Sequence, residues 1–378
     1  MSTAGLIFSN LNRGSLPEMT RRRILSSVPI GCRYRLIDFP LSNMVNAGIT
    51  NIGIITDYNY QSLSDHIGNG KDWDLARRSG GIRLIPPFIS GDDFLPRHKN
   101  FVSRLESMFM ARDFINRCPE EYLVLADCDI VCNVDFAALV EEHRAKKADI
   151  TFMAYRTFLR EGMLSQDNAL IESDPEGRIT SYVHYTPRDT GEKNILMPMM
   201  VMKTSFLRTL LDNASAHGAT SFDMDILRPN LHRFRIYASY IDSFCVQINS
   251  METYFHTSMQ LLDSHIRQDL FGQNNRPIMT KVRNSAPTRY TPGSSVTNSL
   301  VGDGCVIEGT VENSIIFRGV HIGRGSVVRN CILLQDTYVG DNGSLHCVVT
   351  DKDVVIKDGR HLSGHQTMPF YIDKGAHV

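Results

Sequence analysis

Aliphatic residues recur at steps of six near the end of the chain: Val301 and Ile307, then Ile316, Ile322, Val328 and Leu334, then Val339 and Leu345. Several are followed by glycine, as in Ile322-Gly323-Arg324-Gly325. A six-residue period with a small residue after the aliphatic one is the signature of a parallel β-helix, in which each coil stacks its aliphatic side chains on those of the next. About three to four coils fit between Ser295 and Gly359, too few for a solenoid to stand alone, so this region must pack on the rest of the chain or on another subunit.

The rest of the chain must therefore hold a second core. With 378 residues the sequence exceeds what a single core serves, and two domains are expected. A stretch rich in Asn, Arg, Pro and Thr, with Pro277, Pro287 and Pro292, reads as a linker over 271–293. That leaves a first domain over 1–270 and the repeat domain over 294–378. The formal charge of -1, without a long like-charge block, argues against a nucleic-acid partner. No apolar stretch approaches the ~18 residues of a membrane span, and the N-terminus reads as a first strand, not a signal peptide. The eight cysteines form no CxxC pair, which fits reduced thiols in the cytoplasm. Cys128 and Cys132 lack the second pair that a tetrahedral metal site needs.

Within the first domain, Gly5 to Phe8 and Ile52 to Ile55 read as buried strands joined by a helix that ends at Asn46-Ala47-Gly48, the βαβ step of a parallel sheet. Asp149 to Tyr155, Ala169 to Glu172, Ile179 to Tyr185 and Ile236 to Val246 read as further strands. Met251 to Arg267 reads as a closing helix, and Met197 to Met202 as core or interface. The run Tyr122 to Phe136 is apolar through Ala126 and then turns acidic. Ligands of open α/β sheets sit beyond the carboxyl ends of the strands, so Asp127 and Asp129 are candidate crevice carboxylates, with Cys128 facing the other way. The alternative is that both merely cap a helix beginning near Asn133 or Asp135. The loop after the first strand, Ser9 to Ser15, holds a single glycine, whereas a triphosphate cradle needs a glycine-rich turn. Arg21, Arg22 and Arg23 follow, readable as a solvated face or as an anion clamp.

Three motifs in order, RYRLIDFPLSN (34–43 with the preceding Arg33), NAGITNIGIIT (46–56) and HIGNGKDWDL (66–75), resemble the N-terminal domain of bacterial ADP-glucose pyrophosphorylases, the glucose-1-phosphate adenylyltransferases that start glycogen synthesis. The resemblance implies a nucleotidyltransferase domain, Rossmann-like with a mixed, mainly parallel sheet, followed by a C-terminal left-handed parallel β-helix used for assembly and effector binding. It also implies five losses. The glycine-rich loop is replaced by Ser9 to Ser15, and the phosphate-contacting lysine falls at Leu25. The metal aspartate of the GDH motif falls at Cys128, between Asp127 and Asp129. The lysine that grips the sugar phosphate falls at Tyr185, and the second metal aspartate at Gln247.

Nucleotidyl transfer relies on Mg2+ and cationic side chains to neutralise moving charge. Removing one such group reduces the rate by a factor of ~100 to 1,000, so losing the metal and both lysines leaves almost nothing. The pattern resembles the second, non-catalytic D-type subunit of glycogen biosynthesis. That resemblance implies no catalytic residue, no metal site and no cofactor, with Mg2+ only if catalysis persists. It implies as partner a catalytic adenylyltransferase subunit in a hetero-oligomer, expected to be a tetramer in the cytoplasm. A sugar-phosphate effector would bind between the domains at Arg22, Arg23 and Arg35. The competing expectation is an active sugar-phosphate nucleotidyltransferase with a rearranged site, making ADP-glucose from ATP and glucose 1-phosphate. Acyl transfer on the β-helix is the weakest reading, because it needs more coils and a catalytic histidine between them, whereas His321 and His346 stand singly.

Overall fold

The computed structural model describes residues 2–11, 14–87, 102–159, 161, 164 and 168–378. Asn12 and Arg13 of the loop after the first strand lie outside them. The first domain is built on a nine-stranded sheet: β1 (Thr3–Phe8), β2 (Asn51–Ile55), β3 (Gly81–Ile85), β4 (Tyr122–Asp127), β5 (Ile150–Leu159), β6 (Ala169–Ser173), β7 (Ile179–His184), β8 (Gly191–Lys203) and β9 (Ile236–Tyr240). Its order is β7-β6-β8-β4-β1-β2-β3, with β5 pairing both β8 and β9. The centre, β3-β2-β1-β4, is parallel, and β8 runs antiparallel to β4.

Near-continuous apolar strands are what a sheet covered on both faces requires. Leu6 and Phe8 point into one layer with Met108, Phe114 and Leu207 of the covering helices, and Ile7 points into the other with Leu41, Leu63 and Leu139. The methionine run lies in β8, where Met197, Met199, Met200 and Met202 are buried core. Pro198, which cannot donate to a ladder, coincides with a register shift between Leu196 and Met200.

Two elements depart from the expected pattern. The single helix expected over 251–267 is two, Met251–Gln260 and Ser264–Phe271, because Asp263 caps the second by accepting from the His265 N–H. The strand expected from Ile236 to Val246 leaves the main sheet after Tyr240, and Cys245–Gln247 pairs antiparallel with Ile130–Cys132.

The C-terminal region is a left-handed parallel β-helix of three five-stranded parallel sheets. Its first strand, Arg289–Tyr290, pairs with Val306–Ile307 and lies within the stretch read as linker. The stack therefore runs from Arg289 to Ile372, longer than the period alone suggests. Ile307, Ile322, Val339 and Ile356 stack inside it, with Val311, Val328 and Leu345, and with Ile316 and Leu333. On the third sheet the outward residues are apolar too. Ile315, Ile332 and Val349 join Leu16, Val28, Ile30, Tyr254 and Leu261 in one buried cluster that seats the β-helix on the first domain.

Candidate functional site

The chain builds β1, β2 and β3 to one side and then returns to place β4 on the other side of β1. The crevice beyond the carboxyl ends of β1 and β4 is thus the topological switch point, where a ligand of such a sheet is expected. Phe8 and Asp127 are partners in register at those ends. The helix Arg104–Met110 starts directly above. Ser103 caps it by accepting from the Glu106 N–H at 3.1 Å, while the Glu106 carboxylate accepts from the Ser103 N–H at 2.7 Å. This reciprocal cap fixes Arg104, whose two terminal nitrogens each donate to one Asp127 oxygen at 2.7 Å. The guanidinium carbon lies 4.9 Å from the centre of the Phe8 ring. Although desolvated, Arg104 is held above its ordinary pKa by Asp127, with Asp223 and Asp129 adding to the effect. The protein's own cation thus lies at the carboxyl ends of β1 and β4.

Asp127 and Asp129 therefore both line the crevice, with different partners. The short ladder between Ile130–Cys132 and Cys245–Gln247 sets Gln247 beside Asp129, and the Gln247 amide donates to the Asp129 carboxylate at 3.0 Å. Asn168 in turn donates to the Gln247 amide oxygen at 3.0 Å. Cys128 does not face Gln247. It is buried in the core with Ile7 and Ile130, and burial pushes its thiol well above the ordinary range. The carboxylate opposite Gln247 is that of Asp129. Leu25 is buried between the domains, and Tyr185 packs with Leu159, Leu170 and Ile195. Neither presents a cation to the crevice.

The three arginines expected to hold an effector have separate fates. Arg22 is exposed. Arg23 is 5 % exposed and donates to both oxygens of Asp351 at 2.7 Å, an ion pair that ties the first domain to the β-helix. The Tyr371 hydroxyl also donates to Asp351. Arg35 lines a pocket between the domains. Asp38 shapes that pocket by accepting from the Arg35 N–H at 2.9 Å and bonding His66 Nε2 at 2.6 Å. Ser62 receives the Arg35 guanidinium. Burial lowers the Arg35 pKa to about 10, and burial overrides Asp38 to lower that of His66.

The pocket is narrow, with a cavity volume of about 30 Å³, and among the described residues it is lined by Arg33, Arg35, His66, Lys281, Arg283, Arg318 and Lys352, without a carboxylate. Burial, with Arg35, Arg23 and Arg283 nearby, lowers the Lys352 pKa to about 7, Asp351 opposing. Lys281 and Arg283 come from the segment between the domains and Arg318 and Lys352 from β-helix corners, so no local pattern joins them. Arg104 had a sequence signal, the Ser103-x-x-Glu106 cap before a helix.

Comparison with known proteins agrees with this architecture. A nucleotidyl transferase family model matches residues 15–183, and a GlmU-like C-terminal hexapeptide model matches residues 286–367. Together with the fold they define a nucleotidyltransferase-type domain carrying a hexapeptide β-helix. The chain is 32% identical over 373 residues to glycogen biosynthesis protein GlgD of Bacillus subtilis (strain 168), covering 98% of this chain and 95% of the relative. It is 34% identical over 374 residues to the GlgD of Geobacillus stearothermophilus, covering 98% and 96%. Glucose-1-phosphate adenylyltransferase of the same organism is 29% identical over 317 residues, covering 83% and 80%. The chain belongs to the ADP-glucose pyrophosphorylase (glucose-1-phosphate adenylyltransferase) family, on its GlgD side. All eight cysteines are free thiols, and among the described residues no helix is long and apolar enough to cross a membrane.

Proposed function

We propose that the chain is a regulatory, non-catalytic subunit that joins a catalytic glucose-1-phosphate adenylyltransferase and adjusts its activity in glycogen biosynthesis. The observation that carries this reading is the Arg104–Asp127 pair lying across the switch-point crevice. A nucleotide entering there would have to displace a bidentate ion pair whose carboxylate is 3 % exposed. The residues do not fit Mg2+: Asp127 is bound to a guanidinium, Asp129 meets an amide where a second carboxylate would be needed, and among the described residues no group of three acidic, His or Cys side chains could hold a metal. Neither Leu25 nor Tyr185 supplies a lysine to balance charge moving between phosphates, and Arg104 is engaged by Asp127.

The pocket lined by Arg35 and Lys352 supports the regulatory half of the proposal, since a cluster of cations without a carboxylate suits a sugar phosphate. It lies against both domains, so a ligand there would bias their packing. Arg35→Ala should weaken fructose 1,6-bisphosphate binding by about 10-fold or more, as expected for one lost charge-assisted contact. The persistence of the Asp129 carboxylate in the crevice favours the second reading, a nucleotidyltransferase with a rearranged site. Titrating the purified chain into a catalytic subunit, with and without fructose 1,6-bisphosphate, tests the proposal. A shift in pyrophosphate release or in effector response that saturates at a fixed ratio supports it, and an unchanged rate at every ratio contradicts it.

A further inference from the structure

We propose that Lys352 is a site of covalent acylation by acyl phosphates, small carboxylic acids activated as mixed anhydrides with phosphate, and that the modification weakens the pocket's hold on phosphorylated ligands. The inference rests on the reading of that pocket as an anion site.

Lys352 lies on a β-helix corner next to Asp351, whose carboxylate already receives Arg23, the Tyr371 hydroxyl and the Lys352 backbone N–H. Arg33, Arg35, Lys281, Arg283 and Arg318 line the same pocket, and among the described residues no acid does. Burial first, and then Arg35, Arg23 and Arg283, disfavour a further ammonium against the pull of Asp351, and the amine is depressed to about 7. An ordinary lysine, near 10.4, is neutral in roughly one molecule in a thousand at pH 7.5. Lys352 is therefore a nucleophile where its neighbours bind phosphate, and the two properties meet in one class of reagent.

In the reaction the Lys352 Nζ lone pair adds to the acyl carbon and a C–N bond forms. The C–O bond to phosphate then breaks, inorganic phosphate leaves with the electron pair, and the amine proton passes to it or to solvent. No oxidant, metal or further reactant is needed. The amide product has lost its charge, so the pocket holds one cation fewer.

The test incubates the full chain with acetyl phosphate at pH 7.5 and follows each lysine by mass spectrometry. Acetylation of Lys352 at least tenfold faster than that of exposed Lys71, Lys147 and Lys357, slowed several-fold by excess inorganic phosphate, is the expected result. A rate at Lys352 no higher than theirs, or one untouched by phosphate, would overturn the assignment. In a second arm, treated wild type should bind fructose 1,6-bisphosphate about tenfold more weakly than untreated, while treated Lys352→Arg should bind as before. Equal losses in both would also overturn it. Untreated chain that binds no sugar phosphate, yet is acetylated first at Lys352, would remove the anion-site reading and keep the acylation. Binding without preferential acetylation would remove this inference alone.

Discussion

Arg22 and Arg23 stand side by side in the sequence, but only Arg23 meets a buried partner, Asp351 at 2.7 Å. Removing Arg23 leaves that buried carboxylate without its counter-charge, held only by the Tyr371 hydroxyl and the Lys352 N–H, so Arg23→Ala should reduce stability in urea unfolding by about 3 kcal/mol. Arg22→Ala should stay within about 0.5 kcal/mol and leave sugar-phosphate affinity unchanged. On the proposed anion-site reading, Lys352 makes ligand binding depend on pH. Its pKa in the folded chain lies below the ordinary lysine value, and a bound anion favours the protonated form. Affinity for fructose 1,6-bisphosphate should therefore be greatest below pH about 7 and fall as pH rises towards 8.5, with the slope lost in Lys352→Arg when followed by calorimetry. At Asp129, Gln247→Asp would set two carboxylates face to face. The repulsion should lower stability by about 1–3 kcal/mol in EDTA, and millimolar Mn2+ should recover part of it in a melting experiment.

At the scale of elements, much was legible. The period of six predicted the β-helix, and the apolar runs predicted β1, β2 and β4, because both patterns reflect side chains that must stack or be covered on two faces. The register of the coil was not fully legible. Ile316 pairs with Leu333, one residue short of three periods of six, so Leu333 points inward and Leu334 faces the first domain. The pattern of aliphatics cannot distinguish these neighbours when both sides of a sheet are apolar. At one close approach of neighbouring coils no side chain fits: a Cβ on Gly309 would lie 2.4 Å from the Ser326 carbonyl oxygen and 2.7 Å from that of Gly323. Gly309→Ala should destabilise the stack by about 1–3 kcal/mol, measured by scanning calorimetry.

Across the whole molecule, the Leu25 and Tyr185 positions, where the resemblance implies lysines, could be read from the sequence because absent residue types need no geometry to notice. What replaced them was not. The Arg104–Asp127 pair joins residues 23 apart, and the interdomain pocket joins Arg35 to Lys352, contacts that exist only once β4 is placed beside β1 and the β-helix is seated on the first domain. The same assembly sets Arg104 on Asp127 at the crevice and gathers cations between the domains, the two observations on which the proposed regulatory role rests. The most direct test is pyrophosphate release by the purified chain alone, supplied with ATP, glucose 1-phosphate and Mg2+. The account predicts a rate indistinguishable from the protein-free blank, unchanged by fructose 1,6-bisphosphate; sustained release that scales with the amount of chain and vanishes in Asp129→Asn would contradict it.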